Sequence, residues 1–377
     1  MPTVDLRVFH CASGDNAAGQ HVLEETALGQ RESMPVWIPG LLEVNALATP
    51  LERNLTYRLK QHELNLVLSF LTLTRDGKVS ARITDLRAAA RHIRGFVTES
   101  VGMGMLTAAV RYFYRWNGGH AHLKHFDTLP SHLAGRYRRL GVRPDLLFLD
   151  PAESGRRMAG EARARSTKPS PRSTPLKAQL QRLDEILGWS GQHAQHPVTM
   201  AWTCLGGAAL SVDLFDVEHT HRAPRQPETA GTPGARSSQA PNWWFITAAD
   251  DTSDPYRNRQ MPSAGPLADF SVNASQEVDR LYETAPDGDD SQVLDGQRVR
   301  GDWVSADFLG RSTTRLFLGV LPREPSPPLE TLLQERRTNE DFLFDPLQVD
   351  VFGRLIVAVS LDRRTPPPWP DVAARLT

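Results

Sequence analysis

Residues Pro144–Arg165 read PDLLFLDPAESGRRMAGEARAR, and the fold follows from how that stretch divides. Leu146-Leu147-Phe148-Leu149 is apolar on both faces, as expected of a strand in the middle of a covered sheet. A turn rich in Pro, Ser and Gly follows, then a second strand ending in Glu161-Ala162-Arg163-Ala164-Arg165. Strand side chains alternate, so Glu161 and Arg163 share one face while Ala162 and Ala164 occupy the other. If the two strands pair, Asp145, just ahead of the first, and Glu161, on the second, converge with Arg163 beside them. Two carboxylates meeting there suit a hard divalent cation such as Mg²⁺, which takes oxygen ligands. The plainer reading is a Glu161–Arg163 ion pair on a solvated strand. The apolar strand that Asp145 introduces argues against it, because acids at the end of a buried central strand are harder to explain as surface decoration.

The flanking segments extend the pattern. Upstream, TESVGMGMLTAAVRYFY (Thr98–Tyr114) reads as a helix with Glu99 near its start, and Gly102 and Gly104 would let it pack closely on the sheet. Downstream, TPLKAQLQRLDEILGW (Thr174–Trp189) reads as a helix capped by Thr174 with Pro175 at its first position. Leu176, Leu180, Leu183 and Leu187 form its apolar stripe, with Lys177 and Gln179 off it. PVTMAWTCLGG and AALSVDLFDVE then read as two strands joined through Gly206-Gly207.

This order, together with Pro144, Asp145, Glu161 and Arg163, resembles the PD-(D/E)xK, or restriction-endonuclease-like, nuclease superfamily over roughly residues 90 to 215. The resemblance implies an α/β fold with a mixed central sheet flanked by helices, and N-terminal and C-terminal α+β additions. It implies Mg²⁺, for which Mn²⁺ can substitute, held by Asp145, Glu161 and the carbonyl of Ala162. Glu99 would add a carboxylate or orient a water. Arg163 stands where the family usually has lysine, and this departure matters. Arginine can stabilise an anionic transition state but is a poor general base, leaving Lys168 and Lys177 as alternative sources of an ammonium. The implied activity is hydrolysis of phosphodiester bonds in DNA, with RNA left open, in bacterial defence against foreign DNA. Two alternatives stay open: a non-catalytic nucleic-acid-binding or assembly subunit, and an effector nuclease gated by a ligand or partner. A homodimer or a defence-system partner protein is compatible with any of them.

Composition narrows the classes. At a formal net charge of −1 over 377 residues, overall charge does not hold this protein to nucleic acid. Charge is instead local: between Arg136 and Arg182 basic residues far outnumber acidic ones, and Arg138, Arg139, Arg143, Arg165, Lys168 and Lys177 are the candidate phosphate contacts. Cys11 and Cys204 make no disulfide framework. No signal peptide and no apolar run of membrane length is evident, so a cytoplasmic protein without membrane contact is expected. His120, His122 and His125 read as a surface loop, since no second ligand cluster accompanies them.

Four regions follow: 1–89, an N-terminal strand and helical region; 90–218, the restriction-endonuclease-like core; 219–241, a Pro/Gly/Ser/Thr-rich linker or insertion; and 242–377, a C-terminal α+β region. Within the first, TVDLRVFHCA is a strand, Pro39-Gly40 a turn, and Glu52–Leu73 and Ile83–Ile93 are helices. Within the last, SQEVDRLYETA is helical, and strands lie around Arg315–Leu321 and Leu355–Leu361.

Overall fold

The computed structural model describes residues 2–15, 21–48, 56–116, 118–119, 122–128, 142–149, 157–192, 197–219, 276–288, 292–306, 314–325, 346–361 and 365–376. The expected linker from residue 220 to 241, His120, Arg138 and Arg139 lie outside them.

The chain opens with β1 (Thr3–Asp15) and β2 (His21–Pro35), an antiparallel hairpin. Next come α1 (Ile38–Glu43), α2 (Tyr57–Ser69), the small hairpin of β3 (Leu71–Leu73) and β4 (Val79–Ala81), α3 (Ile83–Ala88) and α4 (Arg91–Phe113). Then follow β5 (Leu123–His125), β6 (Leu146–Leu149), β7 (Arg157–Arg165), α5 (Lys177–Gln192), β8 (Val198–Cys204) and β9 (Ser211–His219). Seven of these strands form one mixed sheet in the order β2-β1-β9-β8-β7-β6-β5.

Connection lengths explain the pairings. The strands β5, β6 and β7 pair antiparallel in succession. By contrast β7 and β8 are parallel, which requires a crossover, and α5 is that crossover. The chain returns antiparallel through Gly206-Gly207 into β9, and β1 lies parallel to β9, so the N-terminal hairpin extends the same sheet. One face is covered by α4, whose Val101, Met105 and Leu106 share a core with Leu146, Phe148 and Ala201. On the other face Leu183, Ile186 and Leu187 of α5 pack with Phe9, Met200 and Phe215.

The C-terminal residues supply a helix at 276–284 (α6), a short hairpin of β10 (Val293–Leu294) and β11 (Gln297–Arg298), and strands β12 (Arg300–Ser305), β13 (Arg315–Val320), β14 (Leu347–Phe352) and β15 (Leu355–Ser360), ending in α7 (Trp369–Ala373). The last four strands form a separate antiparallel sheet, β12-β13-β15-β14. It docks on the helices rather than on the first sheet: α1 lies against α4 on one side and against β14 and β15 on the other. The Ile38 amide donates to Gln348 Oε1 at 3.0 Å, and the buried Tyr57 hydroxyl donates to the Leu318 carbonyl while accepting from the Asp302 amide at 2.9 Å. The layers therefore run α5, seven-stranded sheet, α4 with α1, four-stranded sheet.

Several local expectations change. Pro39-Gly40 is not a turn but the opening of α1, where a missing N–H costs nothing. Of the long helix expected over Glu52–Leu73, Tyr57–Ser69 is helical, capped by Thr56, whereas Leu71–Leu73 is strand β3. The helix expected over Ile83–Ile93 is two, interrupted at Ala89-Ala90, so α4 starts at Arg91 and Glu99 sits two turns inside it. Helix α5 starts at Lys177 instead of beside Thr174, and the Gln179 side chain accepts the Leu176 amide at 2.7 Å. Leu176 is 39% exposed while Gln179 is buried, because Gln179 donates to Asp213 at 2.8 Å and Asp213 in turn grips Arg7. His125 is no surface residue: it is buried on β5 with Nε2 2.6 Å from the Val44 carbonyl oxygen, and burial lowers its pKa to about 4, so it is neutral.

Candidate active site

Small residues bring α4 down onto β7. A Cβ on Gly160 would meet Phe148 at 2.7 Å and Leu106 at 2.8 Å, and one on Gly102 would sit 3.2 Å from the Ala164 Cβ. Gly160, Ala162 and Ala164 thus form the face on which α4 rests, and Glu161, paired with Arg182 of α5, lies toward the other. Where the first turns of α4 pass the end of this strand an open cleft of about 440 Å³ remains. Arg91, Arg94, Gly95, Thr98 and Glu99 of α4 form one wall, and Asp145, Arg163, Arg165 and Ser166 the other.

Asp145 lies one residue before β6, and its Oδ2 accepts the Ala162 amide at 2.7 Å, pinning the carboxyl against β7. Burial, with the Glu161 charge adding to it, raises its pKa to about 7; the Ala162 amide and Arg163 pull the other way. Glu161 is fully buried, and its Oε1 accepts from Arg163 Nε at 2.6 Å and Arg182 Nε at 2.7 Å. Its Oε2 is buried with no hydrogen-bond partner. Burial also pushes the Glu161 carboxyl above its ordinary range, against the pull of the two arginines.

Glu99, Asp145 and Arg163 therefore meet at the cleft. Glu161 is not among the residues that line it; its Oε1 is held between Arg163 and Arg182 of α5. Arg165 is exposed at the rim with its guanidinium 5.1 Å above the Trp202 ring. Lys168 and Lys177 are exposed but are not cleft walls, and Arg143 pairs with Asp127. Three arginines that the sequence reading did not single out belong to the site. Arg91 and Arg94 were legible in principle, since a helix starting at Arg91 puts positions 91, 94 and 98 on one face. Arg182 carried no local signal, because its partner lies on another element.

Among the described residues no three His, Cys, Asp or Glu side chains are grouped to hold a metal ion. The donor chemistry nonetheless fits a hard cation: two carboxylates crowd one strand end, and one buried carboxylate oxygen lacks a partner. Asp145, Glu161 Oε2 and the Ala162 carbonyl form the candidate set. No protein-family model, curated protein or solved structure matches this chain.

Proposed function

We propose that this protein is a metal-dependent phosphodiesterase of the restriction-endonuclease-like class, with DNA as substrate. The observation that carries the reading is the meeting of Asp145, just ahead of β6, with Glu161 in the middle of the neighbouring strand β7. One acid is shifted to about 7 and the other holds a buried oxygen without a partner. The order α4-β5-β6-β7-α5-β8, with three antiparallel strands and a parallel fourth, supports it.

Asp145, Glu161 and the Ala162 carbonyl would hold Mg²⁺. When bound, the ion supplies Lewis-acid polarisation of the phosphate and a more acidic water. The protein's own groups do the rest. Arg91, Arg94 and Arg163 hold phosphate oxygens in the cleft, favouring the anion and its more charged transition state. Glu99, exposed on the opposite wall, orients or deprotonates the attacking water, a task for which a guanidinium is a poor general base.

The test is cleavage of linear and circular DNA with Mg²⁺ or Mn²⁺. Asp145→Ala or Glu161→Ala should each reduce cleavage by at least about 10²-fold, and thorough chelation should abolish it. Undiminished cleavage in chelator overturns the reading. One feature favours a second reading, a nucleic-acid-binding subunit without catalysis: both arginines neutralise Glu161 at a single oxygen. DNA binding indifferent to metal, with no substrate cut, would select it.

A further inference from the structure

We infer that Arg182 is a positioning residue for the cleft: by holding Glu161 from the α5 side, it allows Arg163 to exchange Glu161 for a substrate phosphate. This rests on the phosphodiester reading above and assigns the ion pair beneath the cleft a part in substrate capture.

Glu161 Oε1 accepts from two guanidinium Nε groups at almost equal distance, 2.6 Å and 2.7 Å. The donors stand in different places. Arg163 lies on the same strand, forms a wall of the cleft and has a side chain 32% exposed. Arg182 comes from α5, is no wall of the cleft, is 17% exposed, and is anchored a second time by Glu185 Oε2 at 3.0 Å. Both crowd the same oxygen while Oε2 has no partner, so the second guanidinium does nothing to saturate the carboxylate.

Redundancy of this kind has a use if one donor must leave. A fully buried carboxylate stripped of its only cation is strongly unfavourable, so a lone Arg163 would be locked in place. With Arg182 present, Arg163 can depart without stranding a buried charge. A phosphate offers it two parallel hydrogen bonds in place of one shared oxygen. Of the two, Arg163 is the residue that lines the cleft and so the one free to turn to a phosphate there; Arg182 is the one that stays.

The experiment measures binding of a fluorescein-labelled DNA oligonucleotide to the full chain in chelator, by anisotropy. Arg182→Gln should weaken binding about tenfold or more, the worth of one charged hydrogen bond, because Arg163 is then retained by Glu161. Adding Glu161→Gln to that variant should restore wild-type affinity within about twofold, since a neutral amide no longer retains Arg163. Arg182→Lys should recover most of the loss. A merely structural role predicts the reverse, a double variant that binds no better than the single one. Unchanged affinity in Arg182→Gln, or no rescue in a folded double variant, overturns the inference alone. If Arg182→Gln does not fold, Glu161→Gln and the double variant decide: they must bind equally, and a further loss in the double variant overturns the inference. A wild-type protein that binds no oligonucleotide overturns the phosphodiester reading, and the inference falls with it.

Discussion

Asp145 holds its proton to about pH 7, well above the range of an ordinary aspartate, because burial disfavours its charged form and the Glu161 charge adds to that. The native state therefore binds this proton more tightly than the unfolded chain does. The sign follows: stability is greatest below the ordinary carboxyl range and falls as pH rises from about 4 to about 7, by at most about 1.4 kcal/mol per unit for this group. Above pH 7 its contribution is level. Asp145→Asn keeps an acceptor for the Ala162 amide and removes the charge, so its melting temperature should exceed wild type at pH 8 and match it near pH 4. Parallel melting curves across that range would show that the carboxyl is not shifted. The three residues Asp145, Glu161 and Arg163 were legible in the sequence because alternation along one strand is a local rule. The turn of Glu161 toward Arg182 was not, because it depends on a helix whose docking no local pattern reports.

At the scale of elements, α4 decides the cleft, and its glycines do two different jobs. Gly102 faces Ala164 of β7, as the sequence suggested. Gly104 faces away from the sheet, with Leu41 of α1 so close that a Cβ would come within 2.9 Å of its backbone carbon atoms. Gly104→Ala must push two helices apart and should cost about 1–3 kcal/mol despite the better helix propensity of alanine. Gly102→Ala meets a methyl group at 3.2 Å, and its propensity gain roughly offsets the contact, leaving stability within about 1 kcal/mol of wild type. Chemical denaturation of the two variants separates the cases, and equal losses would refute the assignment of Gly104 to the helix–helix contact. Heptad-like leucines announced α5, yet the start of that helix was misplaced. A buried Gln179 is held by Asp213 from β9, a partner 34 positions away, and that network outweighed the Thr174-Pro175 start signal.

The whole molecule is tied together through its helices. One continuous core runs from Val4 and Leu6 of the first sheet through Val101 and Met105 of α4 to Leu316, Leu318 and Val357 of the second. Tyr57 bridges the layers: its hydroxyl donates to the Leu318 carbonyl and accepts from the Asp302 amide, deep in the interface. Tyr57→Phe removes a buried hydroxyl that the Leu318 carbonyl, the Asp302 amide and Gln61 Nε2 share, and should cost about 1–3 kcal/mol. Because the core is shared, the urea transition should shift to lower denaturant as a single step. A two-step curve would mean that the sheets unfold independently. No helix among the described residues is long and apolar enough to cross a membrane.

Taken by itself, the sequence determined the strands β6 and β7, the acids Asp145 and Glu161 that they carry, the crossover helix and the hairpin that follows. Each is written in the period and punctuation of a dozen or so neighbouring residues. Only the tertiary structure decided that the N-terminal hairpin completes the central sheet, that a second sheet docks on α1 and α2, and that Arg91, Arg94 and Arg182 join Asp145 and Glu161. Those outcomes depend on which apolar faces find one another across hundreds of residues. Burial then sets which charges must pair, and no local spacing encodes that.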